Sequence, residues 1–94
     1  MAKLQVLDFN AKWCGPCRAM APAIHALMEE HNVEGSNVEI KEIDVDEDPT
    51  SREKFGISGI PTLVFLKDDV EVYRTSGAQP KDKIAKKINE ILAS

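Results

Sequence analysis

The chain holds two cysteines, separated only by Gly15 and Pro16 in the run Cys14-Gly15-Pro16-Cys17. Two intervening residues let the sulfurs meet within one turn of backbone, so the pair can cycle between dithiol and disulfide. The reactive species is a thiolate, and the open amides and positive dipole end of a helix start favour it at the first cysteine. Cys14 is therefore read as the nucleophile that attacks a substrate disulfide, and Cys17 as the thiol that resolves the mixed disulfide. Pro16 sets φ in the first helical turn and limits motion between the two sulfurs. Asp8 is a second candidate, a carboxylate in a segment where every neighbour but Gln5 is apolar. Burial without a partner raises a carboxyl pKa, which suits proton exchange with Cys17 directly or through a water; the competing reading is a rim aspartate at a strand end. Ile60-Pro61 is the third, because a proline just ahead of a strand can take the cis form and leave nearby backbone groups free to pair with a bound peptide.

These groups need elements to position them. Leu4 to Phe9 is a buried strand that delivers the chain to Trp13 and Cys14. From Cys17 the spacing of Met20, Ala21, Ile24, Leu27 and Met28 lines one face of a helix, with Pro22 expected to kink it. Val38 to Val45 predicts a second strand, Thr50 to Phe55 a short helix stopped by Gly56, and Ile57 to Pro61 a loop. Thr62 to Leu66 and Val70 to Thr75, parted by Lys67, Asp68 and Asp69, predict an antiparallel hairpin. Ile84, Ile88, Ile91 and Leu92 share one face of a last helix whose other faces carry Lys81, Lys83, Lys86 and Lys87. A strand-helix-strand unit followed by a hairpin gives a mixed α/β sheet with helices packed on its faces.

At these residues the chain resembles the thioredoxin family. The pattern runs from Leu7-Asp8-Phe9 through Trp13-Cys14-Gly15-Pro16-Cys17, Ala21-Pro22 and Gly59-Ile60-Pro61-Thr62 to Ser76-Gly77-Ala78, spanning nearly the whole chain. The resemblance implies a thioredoxin-like fold of sheet order 2-1-3-4, a nucleophile at Cys14, a resolving thiol at Cys17, a buried acid at Asp8 and a cis proline at Pro61. It also implies a substrate groove formed by Trp13, Gly15, Pro16, Gly59, Ile60 and Gly77. The implied activity is protein-disulfide reduction, with disulfide-containing proteins as substrates, a thioredoxin-reductase-type electron donor, and the cysteine pair itself as the redox group in place of a bound cofactor. Family members usually begin with a further strand and helix, for which this sequence has no residues, so a four-stranded sheet is expected. That leaves the edge of the Val38 to Val45 segment open, where Glu39, Lys41, Glu42 and Asp44 discourage stray pairing. Asn10 stands where an aromatic is common, which loosens packing under the active loop. Glu42 replaces a common lysine and should raise the Asp8 pKa further.

Composition narrows the field. Ninety-four residues, 43% apolar, suit a single domain over 1–94 with one modest core. A net charge of −4 with no lysine-arginine run interleaved with aromatics argues against nucleic acid, and no apolar stretch reaches membrane-spanning length. Met1-Ala2-Lys3 leads straight into strand-like sequence without an export signal, so a reducing, cytoplasmic setting and a monomer are expected. No metal site is expected: His25 and His31 match no familiar ligand spacing with the cysteines. His25 is read as a polar position beside the helical stripe, His31 as a cation near the helix end. Two other functions remain at this stage, a dedicated reductant of one partner enzyme and a non-catalytic peptide-binding or chaperone-like module. A Cys14 without a depressed pKa would favour the latter.

Overall fold

A computed structural model of the chain describes residues 3–94. The reading of the N-terminal start falls partly on Met1 and Ala2, outside the described residues. Seven elements follow in order: β1 (Leu4–Asn10), α1 (Gly15–His31), β2 (Val38–Asp44), α2 (Pro49–Lys54), β3 (Thr62–Lys67), β4 (Val70–Ser76) and α3 (Lys81–Ala93). The strands form one four-stranded sheet in the order β2-β1-β3-β4. β1 and β2 pair in parallel, because the 17-residue α1 returns the chain to the same end of the sheet. β3 pairs antiparallel with both β1 and β4, completing the mixed sheet that the sequence predicts.

Central position explains why β1 and β3 are almost continuously apolar: each is covered on both faces. Leu4 and Val6 of β1, with Leu63 and Phe65 of β3, join Met20, Ile24 and Leu27 of α1 and Ile84, Ile88 and Ile91 of α3 in one buried cluster. Leu7 and Phe9 point the other way, as strand periodicity demands, and pack with Val64, Leu66, Val45 and Ile57. α1 and α3 cover the first face, and α2 lies at the rim of the second, where Phe55 just beyond it meets Phe9 at a ring-centroid distance of 5.6 Å. Cys14 and Cys17 belong to this second cluster, so the first turn of α1 straddles the end of the sheet while its later turns lie on the first face.

Boundaries shift by small, explicable amounts. β2 ends at Asp44, one residue short of the expected Val45, although Val45 stays buried and its amide donates to the Asn10 carbonyl over 2.9 Å. α2 starts at Pro49 because Asp48 caps it, accepting from the Ser51 amide at 3.0 Å. The β3–β4 turn narrows to Asp68 and Asp69, both at positive φ (51° and 68°), as a two-residue hairpin turn matched to strand twist requires. α1 runs on through the exposed Pro22, which withholds one amide from the helix without ending it. No helix of the described residues is long and apolar enough to cross a membrane.

Candidate active site

β1 ends at Asn10, and Ala11 to Trp13 turn the chain into α1, whose N-cap is Cys14. Cys14 and Cys17 are joined by a disulfide with their Cα atoms 5.2 Å apart. The Cys17 amide donates to the Cys14 sulfur at 3.2 Å. A helix N-terminus thus aims an open backbone donor at the first sulfur, the arrangement that stabilises a thiolate there once the bond is reduced. Both cysteines are nearly buried, at 4% and 6% exposed, while Trp13, Gly15 and Pro16 around them are open to solvent.

The loop before Cys14 is fastened from outside. The Trp13 indole Nε1 donates to Asp46 Oδ2 at 2.7 Å, and Lys12 Nζ donates to Glu47 Oε1 at 3.1 Å. Asp44 Oδ1 in turn accepts from the Asp46 and Glu47 amides at 2.8 and 3.3 Å, shaping the turn that receives them. The role of Asp44, Asp46 and Glu47 in seating this loop appears only once β2 is laid beside β1. With the indole nitrogen bonded and 65% of the residue exposed, Trp13 presents its ring to solvent next to Cys14.

The Ile60-Pro61 peptide bond ahead of β3 is cis. Pro61 is buried, Ile60 packs against the cluster containing both cysteines, and Gly59 is exposed. Thr62 Oγ1 donates to the Gly59 carbonyl at 2.6 Å, and the Gly77 amide donates to the Pro61 carbonyl at 2.8 Å. Gly77 sits at φ +88°, where a side chain would strain the backbone, so its glycine identity follows from the turn that reaches Pro61. The structure therefore joins Gly59, Ile60, Pro61 and Gly77 into one rim, with Ile60 touching the cysteine cluster.

Asp8 is 3% exposed on β1. Burial pushes its carboxyl up to about 6 from the ordinary 3.8; a hydrogen bond from Asn10 opposes the rise, Glu42 adds to it and His25 offsets it. The carboxyl is not wholly unpaired as expected: Oδ2 accepts from Asn10 Nδ2 at 3.2 Å, while Oδ1 has no partner. Asn10, expected only to loosen the packing, is a hydrogen-bond partner of the buried carboxyl. It lies two residues along the same strand, so it shares the face of Asp8, a signal already present in strand periodicity. The expectation for Glu42 holds, since it is the direct register partner of Asp8 on β2. His25 is not merely a polar flank to the helical stripe, because its Nε2 lies 3.1 Å from Glu42 Oε1. Among the described residues no cluster of three or more potential metal ligands occurs.

Comparison with known proteins agrees with this geometry. A family model for thioredoxin matches residues 1–90. Thioredoxin H2 of Arabidopsis thaliana is 42% identical over 91 residues, covering 97% of this chain and 65% of the relative. A thioredoxin of Chlamydia caviae is 39% identical over 87 residues, covering 93% of this chain and 81% of its own length. Among solved structures, Fasciola hepatica thioredoxin superposes with a TM-score of 0.82 at 41% identity, covering 94% of this chain and 80% of that one. A thioredoxin from Nicotiana alata gives 0.82 at 42% identity, covering 94% and 72%.

Proposed function

Since this chain belongs to the thioredoxin family, we propose that it is a protein-disulfide reductase working through Cys14 and Cys17. The observation that carries the reading is the Cys14–Cys17 disulfide at the N-terminus of α1, with the Cys17 amide on the Cys14 sulfur. In the reduced protein the Cys14 thiolate attacks one sulfur of a substrate disulfide, forming a mixed disulfide and releasing the other sulfur as a thiolate. Asp8 takes the proton of Cys17, and the Cys17 thiolate attacks the Cys14 sulfur. That step closes the Cys14–Cys17 bond and expels the second substrate thiolate, so two electrons pass from the dithiol to the substrate. A reductase-type donor then restores the dithiol. The pair itself is the redox group, which leaves no step for a bound cofactor.

Substrate recognition falls to the surface around the sulfurs. Trp13, Gly15 and Pro16 form one wall, and Gly59, Ile60 and Gly77 the other, with Pro61 at its base; backbone groups there are the natural partners for an extended peptide. The working unit we infer is one domain of residues 1–94, acting as a monomer in the cytoplasm, where a reducing poise keeps such pairs as dithiols. Neither a dedicated reductant of one partner nor a non-catalytic binding module is favoured by any feature of the site.

Insulin reduction by dithiothreitol tests the proposal. The protein should accelerate it, Cys14→Ser should lose the acceleration, and Cys17→Ser should accumulate a covalent adduct with insulin visible on a non-reducing gel. No acceleration by the folded, fully reduced parent would overturn the reading.

A further inference from the structure

Three features meet beside Asp8. Glu42 is its register partner on β2, and paired residues in a sheet project from the same face. Glu42 also lines, with Asn10, Cys17 and Ala21, a pocket of about 140 Å³ that opens to solvent. From α1, eight residues beyond Cys17, His25 brings Nε2 to 3.1 Å from Glu42 Oε1, both side chains being partly exposed. The pocket thus opens Cys17 to solvent, and its wall includes Glu42, the residue that His25 contacts and that pairs in register with Asp8.

We propose that His25, through its hydrogen bond to Glu42, is a positioning residue that sets the charge facing Asp8 while Asp8 exchanges a proton with Cys17. The proposal rests on the reading of Asp8 given above. A glutamate set against a buried carboxyl opposes its ionisation, and a protonated imidazole on that glutamate cancels the opposition. An imidazole changes charge in the pH range where thiol exchange runs, so the cancellation is conditional. When His25 is charged, Asp8 ionises more easily and can accept the Cys17 proton; when His25 is neutral, the field of Glu42 is unmasked and Asp8 holds its proton longer.

Few other charges face the site. β1 contributes only the neutral Asn10, and β3 sets the apolar Leu63 opposite Asp8. α1 supplies His25, Cys17 and, at the rim of the pocket, Arg18, while the preceding loop supplies Lys12. Arg18 donates to the Lys12 carbonyl and Lys12 is bound to Glu47, so both cations are engaged away from Glu42. Glu29 follows His25 by one helical turn and is exposed. Among the described residues, His25 is therefore the titratable side chain on this side that touches Glu42.

The experiment is a carbon NMR titration of the Asp8 carboxyl in the reduced full chain, run beside the pH profile of insulin reduction. His25→Gln keeps a hydrogen bond to Glu42 but no charge, and should raise the Asp8 midpoint by about half a pH unit, the scale of a partly exposed, screened pair. The acid limb of the reduction profile should move with it. His25→Lys restores a positive charge and should bring the midpoint back to or below that of the parent, and Glu42→Gln should lower it. A merely structural role for His25 predicts no such reversal by lysine. An Asp8 midpoint unmoved by His25→Gln, or not restored by His25→Lys, overturns the proposal. The midpoints need no turnover, so a parent that fails to reduce insulin would overturn the reductase reading while the midpoints still decide the role of His25.

Discussion

Asp8 is the residue at which fold and chemistry pull in opposite directions. Its carboxyl titrates near 6 in the folded chain against an ordinary 3.8, chiefly because burial disfavours its charged form. The folded state therefore holds more protons than the unfolded state between those pH values. The contribution of this group to stability falls as pH rises from about 4 to 6 and stays low above that, a loss of about 3 kcal/mol. Asp8→Asn removes the charge while still offering an oxygen to Asn10. Urea unfolding at pH 7 should show the variant more stable by up to about 3 kcal/mol, with its advantage shrinking as the pH is lowered through 6 toward 4. The same variant has no carboxylate to accept the Cys17 proton, so its insulin reduction at pH 7 should slow by roughly tenfold or more. A gain in stability joined to a loss in rate is the signature of a group retained for chemistry rather than for packing.

At the scale of elements, the β3–β4 hairpin shows a local conformation at odds with its residues. Asp68 and Asp69 both occupy positive φ, a region that disfavours side chains. Asp68 is compensated, because its side chain accepts from the Lys3 amide at 3.0 Å and its own amide donates to the Lys3 carbonyl at 2.9 Å. The Asp69 side chain is exposed and makes no hydrogen bond or ion pair among the described residues. Asp69→Gly gives the turn the residue it prefers and should raise stability by about 0.5–1 kcal/mol, read as a higher Tm with unchanged insulin reduction. The hairpin lies at the opposite end of β3 from Pro61, which is why no change in activity is expected.

For the whole molecule, the sheet order leaves β2 and β4 at the edges. β2 meets the risk of stray pairing with charge: Glu39 accepts from Gln5 at 3.1 Å and lies 3.9 and 3.7 Å from the ammonium groups of Lys3 and Lys41. These pairs are exposed and add little stability, but they make the edge a poor template for another strand. Replacing Glu39 and Lys41 together with valine should leave the Cys14–Cys17 chemistry intact and produce concentration-dependent association, measured by light scattering across a dilution series. The parent should show none over the same range.

Local chemistry makes much of this protein legible from its sequence. Apolar runs and helical spacing are enough for the element order and a mixed sheet, because strand and helix periodicity and the crossover rules depend on near neighbours in the chain, while the order β2-β1-β3-β4 is what the family resemblance implies and the fold shows. The Cys14–Cys17 pair was equally plain, since its chemistry needs only two residues between sulfurs and a helix to follow. What surrounds that pair was decided by tertiary structure. Asp46 reaches Trp13 across 33 residues, His25 reaches Glu42 across 17, and Gly77 reaches Pro61 only when β4 lies beside β3. The first two join polar groups whose types are common on any surface, so nothing in the sequence marks them until register and helix placement bring them together; for Gly77 the family resemblance implies a place in the groove, and the fold adds its bond to the Pro61 carbonyl. The environment of Asp8 is divided: its burial and the effect of Glu42 follow from its neighbours and the family resemblance, whereas the Asn10 hydrogen bond and the His25–Glu42 contact exist only in the folded protein.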